Sequence, residues 1–178
     1  MATPTTLPAA FTVGEVLTST AMNNLRGAFR VLQVNSTTLS STFTTTSTSF
    51  TDITGLSVSI TPSATSSKIL VYATINGSQD QGINDAALQL VRGSTAISIG
   101  DAAATMVQAS AQFNAFFGSS QSSQSILFLD SPSTVSATTY KVQMINSSAG
   151  TSYINRSKLS SAGYYRTVSA ITVMEISA

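Results

Sequence analysis

Hydrophobic and polar residues alternate through much of the chain after residue 30. In residues 55–62, Leu56, Val58 and Ile60 are separated by Ser and Thr, and Pro62 ends the run. Residues 136–146 and 167–177 repeat this pattern. Alternation with a period of two is typical of a strand with one face buried and one face in water. The pattern therefore predicts a body built from β-strands.

Two further segments support this prediction. Residues 68–76, KILVYATIN, are apolar almost without interruption, which predicts a central strand buried on both faces. Residues 86–91 and 95–99 flank Arg92-Gly93-Ser94, and this spacing predicts a β-hairpin.

Three segments are less regular. Residues 36–51 are nearly all Ser and Thr with sparse apolar residues, which predicts one or two extended strands, the alternative being a low-complexity linker. The Ala-rich residues 101–117 fit no single helical face and are interpreted as strand. Residues 118–125 and 156–166 are predicted to be loops.

The first 29 residues differ from the body. Pro4 and Pro8 favour an extended arm, and a short helix is predicted over residues 19–29, where Met22 and Leu25 begin an apolar stripe. So short a helix needs a surface to pack on, which is either its own domain or a partner.

Together the elements predict an all-β fold, an antiparallel two-sheet jelly-roll-like sandwich of nine or ten strands. Residues 30–178 form the sandwich, and residues 1–29 form the short N-terminal extended arm and helix.

The composition indicates a surface made of hydroxyls. Only 8% of residues are charged while 42% are hydrophobic, whereas ordinary domains are about a quarter charged. The net charge is +1, and Lys and Arg are scattered, so no nucleic-acid partner is expected. A net charge near zero favours self-association, which points to an oligomer.

The residue types that are missing argue against an enzyme. The chain has no Cys and no His, which removes thiolate chemistry and the commonest general base and metal ligand. We expect no cofactor and no metal. Asp80, Asn84 and Asp85 share a loop and offer oxygen donors for Ca²⁺, although their spacing favours solvated loop acids. No apolar run is long enough to insert in a membrane, and no secretory signal is expected.

Two sets of residues are candidate binding groups. Tyr153, Tyr164 and Tyr165 lie in or beside C-terminal loops, where aromatic rings suit glycan contact; the alternative is that they are core or interface residues. Glu175 shares a strand face with Ile171 and Val173. It is expected to be half-buried and paired with Arg or Lys, and the partner in an oligomer would come from the next copy as an intersubunit pair.

Several stretches resemble the small fibre or spike proteins of tailed bacteriophages. FTVGEVLT at 11–18, followed by Ala21-Met22-Asn23, is similar to the module by which such fibres attach to the virion. The body resembles their C-terminal knob in four stretches: SFTDITGLSVSITPSATSSKILV at 49–71, LVRG at 90–93, LDSPSTVSATTYKVQ at 129–143 and ITVMEI at 171–176.

The resemblance implies a non-enzymatic virion protein, assembled in the host cytoplasm, whose jelly-roll knob forms a homotrimer. Its partners would be portal, neck, tail or capsid proteins, with host cell-surface polysaccharide as a further contact of the knob. Without a long shaft between anchor and knob, a short tail, neck or head fibre is expected. The alternatives are a capsid decoration protein, or a free carbohydrate-binding module or adhesin. The candidate virion-anchor residues are Phe11, Val13, Gly14, Val16, Leu17, Met22, Asn23 and Leu25.

Overall fold

Two antiparallel sheets form the part of the chain that the structure, a computed structural model, describes: residues 16, 18, 19, 30–80, 86–113, 121–146, 150–159 and 161–177. The all-β, two-sheet, jelly-roll-like sandwich predicted from the sequence is confirmed. The N-terminal arm and helix predicted over residues 1–29 lie outside the described residues, apart from residues 16, 18 and 19.

The larger sheet has β4 at its centre, with β11 on one edge and β8 on the other. β1 pairs with the outer edge of β11. β10 pairs with residues 77–79 of β4, on the same edge as β11, and β2 pairs with β10. Its strands are β1 (Val31–Leu39), β2 (Phe43–Thr45), β4 (Lys68–Gln79), β8 (Ser122–Asp130), β10 (Ser152–Ile154) and β11 (Ser169–Ile176).

The smaller sheet runs in the order β3, β9, β5, and both β6 and β7 pair with the free edge of β5. Its strands are β3 (Thr51–Ile60), β5 (Ala86–Arg92), β6 (Thr95–Ile97), β7 (Ala111–Phe113) and β9 (Thr138–Asn146). The predicted hairpin around Gly93 is the β5–β6 pair.

The core lies between the sheets and is made by alternate residues of facing strands. Leu56 and Ile60 of β3 and Val142 and Met144 of β9 are fully or almost fully buried there. Each such side chain stabilises the fold by about 1.5–3 kcal/mol relative to exposure. The inward faces predicted for these strands are the faces that the structure buries.

A partly buried ion pair joins the sheets at one end of the sandwich. Arg92 Nη1 of β5 lies 2.8 Å from Asp130 Oδ1 at the end of β8, and the Tyr140 hydroxyl of β9 donates to Asp130 Oδ2 at 2.6 Å. Burial and the adjacent carboxylate raise the pKa of Tyr140 far above its usual range, so the phenol remains a donor. The three groups satisfy one another where charge is costly to bury.

The prediction that β4 is buried on both faces is wrong. Ile69, Val71 and Ala73 point inward and are completely buried, but Tyr72 on the other face is 44% exposed. The apolar run therefore covers the core with one face and leaves the other uncovered by the described residues.

Two boundaries also differ from prediction. Of residues 101–117, predicted to be strand, the structure describes 101–113; within that range only Ala111–Phe113 forms a strand, and Met106 and Val107 are exposed in a loop. Conversely, β8 begins at Ser122 within the predicted loop 118–125, opposite Gly77 of β4. Backbone pairing with a neighbour decides both cases, because ladder hydrogen bonds do not require apolar side chains.

The strand predicted to start at Gly55 starts earlier, at Thr51. Gly55 has φ +87°, and the register with β9 shifts between Asp52 and Ser57, which marks a bulge. Gly55, which was predicted to begin the strand, thus lies at an irregularity inside it.

Candidate functional site

The segment between β10 and β11 carries two of the three tyrosines singled out in the sequence, and Asn155 fixes its start. Asn155 has φ +61°, a left-handed conformation that Asn tolerates better than most residues. Its backbone N–H donates to Asn76 O at 2.8 Å, so the turn is attached to β4. The chain leaves β10 in one defined direction.

The buried side chain of Asn155 makes hydrogen bonds through both its amide nitrogen and its amide oxygen. Its Nδ2 donates to Leu39 O at 2.7 Å and Ser41 O at 2.9 Å, and its Oδ1 accepts from Ser169 Oγ at 2.7 Å. A buried amide with these partners costs little to bury and holds several segments in register. Asn155 therefore connects β1, β10 and β11 beneath the loop.

A second amide holds the far end of the loop. Gln121 Nε2 donates to Tyr165 O at 2.8 Å, and Thr167 Oγ1 donates to Gln121 Oε1 at 2.8 Å. Within the loop, Ser157 Oγ donates to Leu159 O at 2.6 Å. The loop is thus attached at both ends and has one hydrogen bond within it, which holds its two ends in place.

The loop surrounds a shallow surface cavity of about 140 Å³. Tyr165, 79% exposed, presents its ring to solvent beside it. The described residues that line the cavity are Arg156, Leu159, Ser161, Tyr164, Tyr165 and Arg166.

The three predicted tyrosines meet at Arg156. Tyr164 and Tyr165 line the cavity with Arg156, and the Arg156 guanidinium lies 4.9 Å from the centroid of the Tyr153 ring. That distance is a cation–π contact. Tyr153 itself is half-buried, so it supports the cavity rather than lining it.

Two guanidinium groups give the cavity its charge. Arg156 Nε donates to Ser157 O and its Nη2 donates to Lys158 O, both at 3.0 Å, which holds this side chain in place. Arg166 is exposed. No Asp or Glu is present among the described lining residues. We call these six lining residues the tyrosine–arginine cavity.

A second surface is the outward face of the larger sheet. Val34, Met174, Leu70 and Leu129 are register partners across β1, β11, β4 and β8, so they form one apolar row. In the next row, Tyr72 is the partner of Leu127. We call this surface the outer apolar face: Val34, Leu70, Tyr72, Leu127, Leu129 and Met174.

The exposure of this face is unusual for side chains of this size. Leu127 is 66% and Leu129 54% exposed. Thr172, Thr74 and Ser125 continue the face without charge, and Lys68 stands at its end. Contiguous apolar patches of several hundred Å² are often functional on monomers.

Glu175 differs from its prediction. It faces the interior with Ile171 and Val173 as expected, but it is completely buried rather than half-buried. Its Oε2 accepts from Gln33 Nε2 at 2.6 Å, and its Oε1 accepts from Ser63 N at 2.7 Å and Ser63 Oγ at 2.6 Å. Among the described residues no Arg or Lys pairs with it, because neutral donors of its own chain satisfy the carboxylate.

Two opposing effects set the acidity of Glu175. Burial alone would raise its pKa, but hydrogen bonds from Ser63, Gln33 and Ser67 outweigh burial and place the pKa below its ordinary value. The carboxylate therefore stays ionised and ties the β3–β4 turn to β1 and β11.

The remaining candidates are mostly outside the described residues. This holds for all of the candidate anchor residues except Val16, which is exposed, and for Asn84 and Asp85. Asp80 accepts a hydrogen bond from Thr151 N at 2.7 Å. In the described ranges, no three acidic groups gather as a metal site would require, and no helix is long and apolar enough to cross a membrane.

Sequence reasoning missed the arginines of the cavity and the outer apolar face. The segment RSKLSSAGYYR begins and ends with Arg. Because the ends of a loop that joins neighbouring strands lie close together, the sequence could have predicted that these two arginines are near each other. The outer face gave an ambiguous signal, since a strand apolar on both sides predicts burial.

Comparisons with known proteins give little guidance. No protein-family model matches the chain, and no curated protein matches it. One solved structure that it resembles is that of infectious bursal disease virus, Gx strain, with a TM-score of 0.40 and 13% identity over 82% of this chain. The chain spans 41% of the length of that chain. A likeness at this level establishes neither a common fold nor a common function.

Proposed function

We propose that this chain is a structural component of a tailed bacteriophage virion: a short homotrimeric fibre of the tail, neck or head. Residues 1–29 fix it to a portal, neck, tail or capsid protein, and residues 30–178 form the knob. The resemblance of FTVGEVLT and of the knob stretches to such fibres supports this role.

The outer apolar face is the observation that carries the proposal. The core between the sheets forms without it: Leu127, Leu129 and Tyr72 lie outside the core cluster and are exposed among the described residues. Exposed apolar surface of this kind favours burial against a partner. Because the face carries no charged side chain except Lys68 at its end, copies of it meet without like-charge repulsion.

The two ends of the sandwich also fit a fibre. The chain enters at Arg30, whose N–H donates to Ser177 Oγ at 2.9 Å, beside the Lys68 end of β4. The tyrosine–arginine cavity lies at the other end, where Ser78 Oγ donates to Arg156 O at 2.9 Å. Ten residues of β4 separate the ends by about 30 Å. An N-terminal anchor would thus leave the cavity facing away from the particle, free to contact host glycan.

The tyrosine–arginine cavity favours one alternative, a free carbohydrate-binding module or adhesin. That function predicts glycan binding by a monomer and no role for residues 1–29. A capsid decoration protein would share the trimer and the anchor and differ only in its position on the virion.

The experiment that tests the anchoring role is the double change Leu17→Asp and Met22→Asp. The purified variant should keep the parent's unfolding midpoint, and particles assembled with it should lack the protein. Val107→Asp, on an exposed loop of the sandwich, is the control and should incorporate normally. Normal incorporation of the double variant would contradict the proposal.

A further inference from the structure

We propose that the tyrosine–arginine cavity binds an acidic sugar, with the sugar carboxylate held between Arg156 and Arg166. This inference rests on the proposed glycan contact and adds to it a chemical class of ligand.

Charge is the first argument. Two arginines face one small cavity in a chain that has only eight Lys and Arg residues in total. No acid is present among the described lining residues, and no hydrogen bond or ion pair within the described chain engages the Arg166 guanidinium. Guanidinium groups bind carboxylates through two parallel hydrogen bonds. A neutral glycan would offer no negative charge to pair with these guanidinium groups.

The other lining groups suit a sugar ring. The exposed Tyr165 ring offers a flat apolar surface for the C–H face of a pyranose, and Ser161 and the Tyr164 phenol offer hydroxyls to its own hydroxyls. The cavity, about 140 Å³, is smaller than the ~300–1,000 Å³ of pockets that enclose drug-sized ligands. It therefore fits a single acidic ring of a longer chain.

The cavity is also built before any ligand arrives. Arg156 is fixed by the Tyr153 ring and by two backbone carbonyls, and Asn155 and Gln121 hold the two ends of the loop. Asn155 makes three side-chain hydrogen bonds beneath the loop, which hold the start of the loop in place. Fixed donors bind with a smaller loss of conformational entropy.

The test measures binding of the full chain to three acidic oligosaccharides by calorimetry: oligogalacturonate, oligoglucuronate and oligosialate. Each is paired with its methyl ester, which keeps the sugar and removes the charge. At least one acid form should bind, and its ester should bind about ten- to a hundred-fold more weakly. Raising the salt concentration should weaken the acid form only.

Variants locate the site. Arg166→Gln and Tyr165→Ala should each weaken binding of that acid about ten-fold or more. Lys68→Gln is the matched control: it removes the same charge at the opposite end of β4 and should leave the affinity unchanged. Unfolding midpoints of the two cavity variants should equal the parent's, because both side chains are exposed.

The outcomes separate this inference from the proposed function. Equal binding of acid and ester, or equal loss in Lys68→Gln, would overturn the acidic-sugar site and leave glycan contact standing. Failure of all three acids to bind a chain that is trimeric and incorporated into particles would overturn the site alone. Failure of assembly would count against the proposed fibre and not against the cavity.

Discussion

Tyr72 and Leu127 are register partners on β4 and β8, and both point away from the core, 44% and 66% exposed. In a sandwich with one solvated face per sheet, such a pair is expected to be polar. Here the polar residues of β8, Ser123 and Ser125, lie further along the strand. The apolar pair belongs to the outer apolar face, which we propose another copy of the chain covers.

Polar substitution of this pair should dissociate the proposed trimer without unfolding the sandwich. In Tyr72→Ser combined with Leu127→Ser, we expect the dissociation constant to rise more than ten-fold, because two large side chains leave the interface. Val107→Ser, which removes a loop side chain about as exposed as Leu127, is the control and should leave association unchanged. Sedimentation equilibrium measures both; an unaltered mass in the double variant would place the interface elsewhere.

The two described ion pairs have the same length and should differ in strength. Arg92–Asp130 and Lys141–Asp52 are both 2.8 Å long, but Asp130 is buried while the Asp52 side chain is half exposed. Asp130→Ala should lower the free energy of unfolding by about 2–3 kcal/mol, because Arg92 and the Tyr140 hydroxyl lose their partner. Asp52→Ala should cost less than about 1 kcal/mol. Urea denaturation compares them, and equal losses would contradict the role of burial.

Glu175 should make stability fall in acid. Its pKa in the folded chain lies below the unfolded value of about 4.3, so ionisation stabilises the fold at higher pH. This contribution is present above the unfolded pKa and is lost as the pH falls through the folded pKa. The free energy of unfolding of Glu175→Gln should therefore depend less on pH below about 4.5.

Asp52 contributes in the same direction, since hydrogen bonds from Lys141 and Gln143 lower its pKa. The comparison is made in an Asp52→Asn background for this reason. Identical pH profiles with and without Glu175 would show that its carboxylate is not held as described.

Gly77 sets the distance between β4 and β10. A Cβ at this position would lie 2.6 Å from Tyr153 O, a backbone atom that cannot move alone. Gly77→Ala should destabilise the sandwich by about 1–3 kcal/mol and displace Tyr153 beneath Arg156. Gly100→Ala, where a Cβ meets nothing within 4 Å, should be neutral or slightly stabilising. Thermal unfolding separates the two, and a harmless Gly77→Ala would contradict the close approach.

Strands with a strict period of two were predictable from the sequence. The core faces of β3, β9 and β11 follow directly from Leu56, Tyr140 and Ile171, because burial of one face requires that alternation. Residues 101–110 and 122–125 were predicted wrongly, since the availability of a partner edge decides strand formation there and local composition does not record it.

The candidate site was predictable only in part. The tyrosines could be singled out by residue type. Arg156 could not, because the left-handed turn at Asn155 places it beside them. That turn is held by the hydrogen bond from Asn155 to Leu39 O, 116 positions away in the sequence. Glu175 was placed on the correct face, but its partners within the chain were not predicted, because Gln33 and Ser63 reach it through the folding of distant strands.

The native mass of the full chain in solution, measured at two concentrations and again after removal of residues 1–29, tests the central claim most directly. We expect a trimer in both forms, because the outer apolar face belongs to the sandwich and the N-terminal segment is the proposed virion anchor. A monomer in both forms would contradict the fibre proposal and favour a free carbohydrate-binding module.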